Sequence, residues 1–70
     1  MIEENVTEVA AIEAPYGKQI VMQNVAYENG TRILRMRIRE GNRFTVMDLS
    51  QDTVSQLSNV LSSWKEEGNQ

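Results

Sequence analysis

Five of the seven basic residues of this chain are arginines in one short window, which begins at Arg32 and ends at Arg43. A guanidinium group holds a carboxylate or a phosphate through parallel hydrogen bonds, so the chemistry on offer is anion recognition. Within the window, Arg35, Arg37 and Arg39 alternate with apolar residues. Alternation is the period of a β-strand and puts all three on one side of it. The window therefore predicts a sheet face that carries a line of arginines.

Groups that catalyse reactions are scarce in this sequence. It contains no Cys and no His, which excludes disulfides and thiolate zinc sites and removes the commonest metal ligand and general base. Asp48 and Asp52 are separated by a predicted strand-to-helix junction, and Asp52 has a sufficient role at the start of the helix. The sequence has no phosphate-binding glycine loop, nucleophile elbow or metal-ligand spacing. We therefore predict a protein that is not an enzyme and uses no metal and no cofactor.

The size and charge of the chain limit which kinds of partner we expect. Seventy residues form at most one domain, which we expect to span 1–70, and a domain this small is marginally stable alone. With disulfides excluded, we expect its additional support to be a partner subunit. The formal net charge of −3 and the pI of about 4.8 disfavour a nonspecific nucleic-acid binder.

The sequence also bears on location. It shows no signal-peptide pattern and no apolar segment long enough to cross a bilayer. A composition without cysteine fits a reducing compartment. We therefore expect a cytoplasmic protein that does not enter a membrane.

Four segments have the composition of β-strands, namely about residues 6–14, 19–27, 31–39 and 43–49. The first is ambiguous, because Val6, Val9 and Glu13 would share one side of a helix. The alternation around Ile12 suits a strand instead. We favour the strand, because the next residues, 14–18, contain proline and glycine at the positions that a tight turn requires.

The first hairpin turn predicts how the second and third strands pair. Asn29-Gly30 is the strongest short signal for a two-residue type I′ turn. Such a turn pairs Val25 with Leu34, and cross-strand partners share a face of the sheet. A register error of one residue would exchange the two faces, so the assignment depends on the turn.

The second hairpin turn is Gly41-Asn42, which suits a two-residue type II′ turn with glycine first. This turn pairs Arg39 with Phe44 and Arg35 with Asp48. We expect the first pair to form a cation–π contact and the second to form an ion pair.

These registers divide the predicted sheet into two faces. The predicted core face is mostly apolar: Val21, Val25, Tyr27, Leu34, Met36, Ile38, Met47 and Leu49. The opposite face mixes apolar and polar residues: Ile20, Met22, Ala26, Ile33, Phe44 and Val46 with Asn24, Arg35, Arg37, Arg39 and Asp48. The second set is too apolar for an ordinary solvated face, and an apolar surface crossed by arginines has the composition of a binding surface.

A helix is predicted over about residues 51–66. Ser50 is a good N-cap, and Asp52 lies in the first turn, where the helix dipole favours a negative charge. An apolar stripe recurs at spacings of three and four: Val54, Leu57, Val60, Leu61 and Trp64. We expect this stripe to cover the core face of the sheet, with Trp64 in the core.

The predicted fold class is therefore α+β. It consists of a three- or four-stranded antiparallel β-meander followed by one C-terminal α-helix packed on one sheet face. We expect residues 1–5 to be disordered and residues 67–70 to form a tail.

The arginine-bearing face is the candidate binding site for a protein partner or for a second copy in a homodimer. Its candidate partner-binding residues are Arg35, Arg37, Arg39, Phe44 and Val46. The alternative is single-stranded nucleic acid, with Phe44 as a residue on which a base could stack. The simplest interpretation is a solvated face on which arginine stems cover their apolar neighbours and Asp48 pairs with Arg35.

Two segments, Ala14-Pro15-Tyr16-Gly17 and Arg37 to Leu49, resemble a small bacterial family of uncharacterised proteins. The resemblance covers most of the chain and implies no activity and no functional residues. Strands in a meander followed by one helix are also similar in architecture to PUR-type and whirly-type modules. That similarity implies binding of single-stranded nucleic acid on a curved sheet face, and dimerisation, by analogy of fold alone.

Overall fold

The structure, a computed structural model, describes residues 3–68. Its elements are β1 (Glu4–Ala14), β2 (Lys18–Tyr27), β3 (Arg32–Glu40), β4 (Arg43–Leu49) and α1 (Gln51–Glu67). The strands form one antiparallel sheet in the order β1-β2-β3-β4, so each strand pairs with its neighbours in the sequence. The predicted α+β class, a meander followed by one helix that packs on the sheet, is confirmed.

The first segment is a strand, so the choice between strand and helix is settled. β1 begins at Glu4, which means that Glu4 and Asn5 belong to the sheet, although we expected them to be disordered. A bulge between Glu8 and Ala10 shifts the register of β1 against β2. We predicted disorder for Met1 and Ile2 and a tail that includes Asn69 and Gln70. These four residues lie outside the described residues.

The turn between β2 and β3 is longer than predicted. The Tyr27 amide donates to the Thr31 carbonyl (2.8 Å), and the Gly30 amide donates to the Tyr27 carbonyl (3.0 Å), which closes a three-residue loop. Gly30 has φ of 90°, whereas Asn29 has no positive φ, so this is not a type I′ turn. The Asn29 side-chain oxygen instead accepts a hydrogen bond from the Thr31 amide (2.9 Å).

The consequence is a register shift of one residue between β2 and β3. Val25 pairs with Ile33, and Asn24 pairs with Leu34. The predicted pairing of Val25 with Leu34 is therefore wrong. Since side chains alternate along a strand, the whole of β2 is turned over relative to the prediction.

The register between β3 and β4 is the predicted one. Glu40 pairs with Arg43, and Arg37 pairs with Val46. Gly41 has φ of 62° and Asn42 has no positive φ, as a two-residue type II′ turn requires. The arginines of β3 therefore share a face with Phe44, Val46 and Asp48, as expected.

The two observed faces differ in character. The first, which we call the apolar face, contains two cross-strand rows without a charged residue: Ile12–Ile20–Ile38–Thr45 and Ala10–Met22–Met36–Met47. The second, the arginine face, contains Arg35, Arg37 and Arg39 together with Val21, Val25 and Tyr27 of β2. We predicted these last three on the core face with Leu34, so their assignment is corrected; Ile20 and Met22 move the opposite way.

Helix α1 begins where predicted. The Ser50 side-chain oxygen accepts a hydrogen bond from the Thr53 amide (3.2 Å), and the Gly68 amide donates to the Trp64 carbonyl (3.1 Å). The first turns of α1 pack on β3 and β4, where Val54 and Leu57 are half-buried and Leu49 is buried.

The rest of the helix leaves the sheet. Val60, Leu61 and Trp64 are 61–73% exposed, so the expectation that Trp64 lies in the core of this chain is wrong. Ser50 alone connects β4 to α1, and its backbone is extended (φ −76°, ψ 166°). Connections between strands and helices usually contain two to six residues, and a shorter one leaves the chain little room to fold back over its own sheet.

Candidate interaction site

Arg35 lies on the arginine face and is held by contacts within the chain. Its Nε donates to Asp48 Oδ1 (2.8 Å) and its Nη2 donates to Asp48 Oδ2 (3.2 Å), in the parallel geometry of an Arg–carboxylate pair. Its Nη1 lies 3.6 Å from Glu4 Oε1. The hydrogen bond from Arg35 lowers the pKa of the Asp48 carboxyl, and the same bond raises the pKa of Arg35. The predicted Arg35–Asp48 pair is confirmed.

Glu4 also contacts Tyr27, whose hydroxyl donates to Glu4 Oε2 (3.4 Å). Desolvation by the surrounding side chains raises the pKa of Tyr27, and the nearby Glu4 carboxylate raises it further. Glu4, Tyr27, Arg35 and Asp48 come from β1, β2, β3 and β4, respectively. We call these four residues the polar cluster, and it links all four strands.

Arg37 and Phe44 form a cation–π contact. The Arg37 guanidinium carbon lies 4.9 Å from the centroid of the Phe44 ring. We expected Arg39 in this role because it is the direct partner of Phe44. Arg37 is the diagonal neighbour, and a long side chain reaches a diagonal neighbour easily. The Nε of Arg39 donates instead to the Gly41 carbonyl (3.4 Å).

The five candidate residues therefore lie on one face, as predicted, but each of the three arginines has a contact within the chain. The carboxylates of β1 share that face, because Glu8 and Glu13 lie in register with Gln23 and Gln19 of β2. Gln19 also donates to Glu13 (2.9 Å). The positive charges of β3 thus meet acidic side chains on the same surface, which reduces their pull on a distant anion.

The β3 and β4 part of the apolar face was predicted as the core face, but the prediction missed its β2 residues and its exposure at Met47. Its two charge-free rows lie side by side across all four strands, and Leu34 and Leu49 of the neighbouring row line a cleft with the start of α1. Met47 remains 55% exposed. Beyond the isoleucines the face ends at a charged rim, where Lys18 pairs with Glu40 (3.0 Å) and Arg43 lies in register with Glu40.

The shape of the chain shows how much surface is left uncovered. Its accessible surface is 5925 Å², whereas a compact monomer of 8.0 kDa exposes about 4,450 Å². Its radius of gyration is 14.3 Å, whereas about 11 Å is typical of a compact domain of this length. Each chain therefore exposes about 1,500 Å² more surface than a compact monomer would.

A cleft of about 420 Å³ lies between the first turns of α1 and the sheet. Asn24, Leu34 and Leu49 line it from the sheet, and Val54 and Ser55 line it from the helix. Among the residues that the structure describes, no carboxylate lines this cleft, and no group of three acidic side chains is placed to hold a metal ion. The cleft thus offers no acid–base pair for catalysis.

The sequence profile of a family of unknown function, DUF6967, matches residues 3–67. The chain belongs to this family. The match runs through the whole sheet and α1, so both faces and the exposed helix stripe lie inside the matched residues. No curated protein and no solved structure matches the chain. Within residues 3–68, no helix is long and apolar enough to cross a membrane.

Proposed function

We propose that this DUF6967 chain is a small, non-enzymatic interaction module that functions while joined to another protein chain. The observation that carries the proposal is the apolar face, whose methionine and isoleucine rows are half-buried at their centre and still exposed at Ile12 and Met47. Contiguous apolar surface of this kind is typical of protein interfaces and is avoided on free monomers. The composition without cysteine supports a reducing compartment, and a cytoplasmic location is part of the proposal.

The proposal gives the two faces different weights. The residues predicted from sequence as the partner contact, Arg35, Arg37, Arg39, Phe44 and Val46, all lie on the arginine face. Their arginines already have contacts with Asp48, Phe44 and Gly41, so a partner would have to replace interactions that exist. The apolar face has no such interactions to lose, and covering it gains the full free energy of apolar burial. We therefore assign the principal contact to the apolar face.

Two neighbouring residues of β4 test this assignment directly. Met47 on the apolar face is 55% exposed and Val46 on the arginine face is 53% exposed, so a lysine at either position perturbs the chain alone to a similar degree. Gel filtration of the tagged full chain from an extract of its own host compares the two variants. We expect Met47→Lys to shift the chain to its free size and Val46→Lys to leave the complex unchanged.

The reverse pattern would assign the contact to the arginine face. A wild-type chain that elutes at its free 8.0 kDa, with neither variant altering it, would refute the interaction module.

The second candidate function is single-stranded nucleic-acid binding through the arginine face. The Arg37–Phe44 contact supports it, because an exposed aromatic ring beside a guanidinium group is the arrangement on which bases stack. The net charge of −3 weighs against it. Titration with a mixed-sequence oligonucleotide at low salt distinguishes the two functions. Nucleic-acid binding requires shifts of the β3 and β4 amide signals that diminish in Phe44→Ala, and unchanged signals would exclude it.

A further inference from the structure

We propose that the partner is a second copy of this chain and that the two copies exchange helices. The second half of α1 from each copy lies on the apolar face of the other. This inference rests on the proposed function and names the partner that the apolar face binds. Four features of the chain support it: two matching exposed surfaces, a short hinge, the length of the helix and the size of the uncovered area.

The chain exposes two apolar surfaces, and each suits the other. One is the pair of rows on the sheet, with Ile12 and Met47 half exposed. The other is the helix stripe of Val60, Leu61 and Trp64. Neither contains a charged residue, so their contact would bury no unpaired charge. A second copy supplies both surfaces at once, and a two-fold axis makes the exchange reciprocal and closed.

The hinge explains why the helix does not cover its own sheet. Only Ser50 separates β4 from α1, and the hydrogen bond that its Oγ accepts from the Thr53 amide fixes the helix start at that point. A helix that starts there cannot reverse over Met47, which the helix indeed leaves exposed. Short hinge loops favour the exchange of an element between copies, because the contact that is blocked within one chain can form between two chains.

The dimensions agree with an exchange. Residues 58–67 of α1 measure about 15 Å along the helix axis. The distance from the row of Leu49 to the row of Thr45 is four residues, which is about 13 Å along a strand. A helix that crosses to the partner therefore spans both open rows. Its last carboxylates, Glu66 and Glu67, then approach the charged rim that contains Lys18 and Arg43.

The area agrees as well. Each chain exposes about 1,500 Å² more than a compact monomer, so a dimer that removes this excess buries about 3,000 Å² in total. Obligate homodimers bury about 2,000–5,000 Å². The exchange also supplies a second layer over the sheet, which this small chain does not provide for itself.

The first experiment measures the purified full chain by sedimentation equilibrium and by the fluorescence of its single tryptophan, Trp64. We expect twice the mass of one chain, and an emission maximum that shifts to the red on dilution as the dimer dissociates. Met47→Lys is expected to abolish the dimer, and Val46→Lys is expected to retain it. A monomeric mass at every concentration would overturn the proposal.

The second experiment tests the exchange itself. The chain contains no cysteine, so in a mixture of Met47→Cys chains and Leu61→Cys chains the mixed disulfide is favoured where the helix of one copy meets the sheet of the other. We expect a cross-linked heterodimer from this mixture and none from Val46→Cys with Leu61→Cys. Cross-linking through Val46→Cys instead would overturn the proposal.

A third variant lengthens the hinge. A Gly-Ser-Gly-Ser insertion between Leu49 and Ser50 should let α1 fold back, which converts the dimer to a folded monomer whose Trp64 emission stays blue-shifted. A lengthened chain that stays dimeric at the wild-type dissociation constant contradicts exchange. If the purified chain is monomeric while Met47→Lys still releases the chain from a complex in the extract, the exchange fails and the interaction module stands. If neither association occurs, both fail.

Discussion

Arg35 and Asp48 face each other across the last two strands and are joined by two hydrogen bonds of 2.8 and 3.2 Å. Through Glu4 and Tyr27 the pair extends to the first two strands, so the polar cluster crosses the whole sheet. The arginines first suggested a surface prepared for an external anion. Arg35 is instead a structural residue whose anion, the Asp48 carboxylate, is already part of the chain.

The Asp48 carboxylate should make folding stability depend on acid pH. Its pKa lies below its ordinary value in the folded chain, so the ionised pair stabilises the fold above that ordinary value. The stabilisation is lost as the pH falls through the lowered pKa. We expect Asp48→Asn to flatten this acid limb in urea unfolding measured from about pH 6 to about pH 2. Glu28→Gln, in the exposed hairpin loop, is the control and should keep the limb.

Tyr27 should make folding stability depend on alkaline pH, with a loss of stability as the pH rises. Its pKa is raised in the folded chain, so the neutral phenol is favoured and the related stability is complete below the ordinary value of 10.0. That stability is lost as the pH rises through the raised pKa. We expect Tyr27→Phe to resist alkaline unfolding better than wild type, as followed by circular dichroism. Tyr16→Phe is the matched control, because Tyr16 lies exposed in the turn; an equal effect in both variants would contradict the assignment.

Val25 is the one residue with no exposed surface among residues 3–68, and it lies in register between Val6 and Ile33. Val25→Ala removes two buried methyl groups and leaves a small cavity, so we expect a loss of about 2 kcal/mol in the free energy of unfolding. Val46→Ala, on the same face but half exposed, should cost much less. Equal losses in denaturant unfolding would show that Val25 is not the anchor of this face.

A substitution of Gly30 should destabilise the fold because of the backbone conformation alone. Its φ is 90°, and a Cβ at this position would meet no atom within 4 Å, so any cost comes from the left-handed conformation. We expect Gly30→Ala to reduce the free energy of unfolding by about 1 kcal/mol. Gly68→Ala is the control, because Gly68 has φ of −68° and is expected to tolerate alanine. A neutral Gly30→Ala in thermal unfolding would argue for a different turn.

The second hairpin was predictable because Gly41 supplies the single positive φ that a two-residue turn of its type needs. The first hairpin, between β2 and β3, was not predictable, because Asn29-Gly30 is compatible with either a two-residue or a three-residue loop. The hydrogen bond from the Thr31 amide to the Asn29 side chain accompanies the longer loop. The additional loop residue shifts the register between β2 and β3 by one. This shift places Val25 and Tyr27 on the face of the arginines and aligns Met22 with Met36 and Met47.

The helix shows a different limit of the sequence. Its N-cap at Ser50 and its apolar stripe are local signals, and both are found in the structure. The direction in which the helix leaves the sheet depends on the length of the connection between β4 and α1, which is the single residue Ser50. This direction is set by the connection between β4 and α1, not by the residues of α1. The residue pattern within α1 therefore predicted that the apolar stripe needs a cover, but not which surface provides that cover.

The bulge in β1 bears on how far association can proceed. A sheet open at both edges invites strands of other copies to add end on end, which leads to fibres. The irregular register between Glu8 and Ala10 interrupts the hydrogen-bonding pattern of one edge, and the acidic side chains of β1 repel a like neighbour. The opposite edge, β4, has only seven residues. Growth through the edges is thus discouraged, whereas the bulge and the short β4 leave the apolar face unaffected.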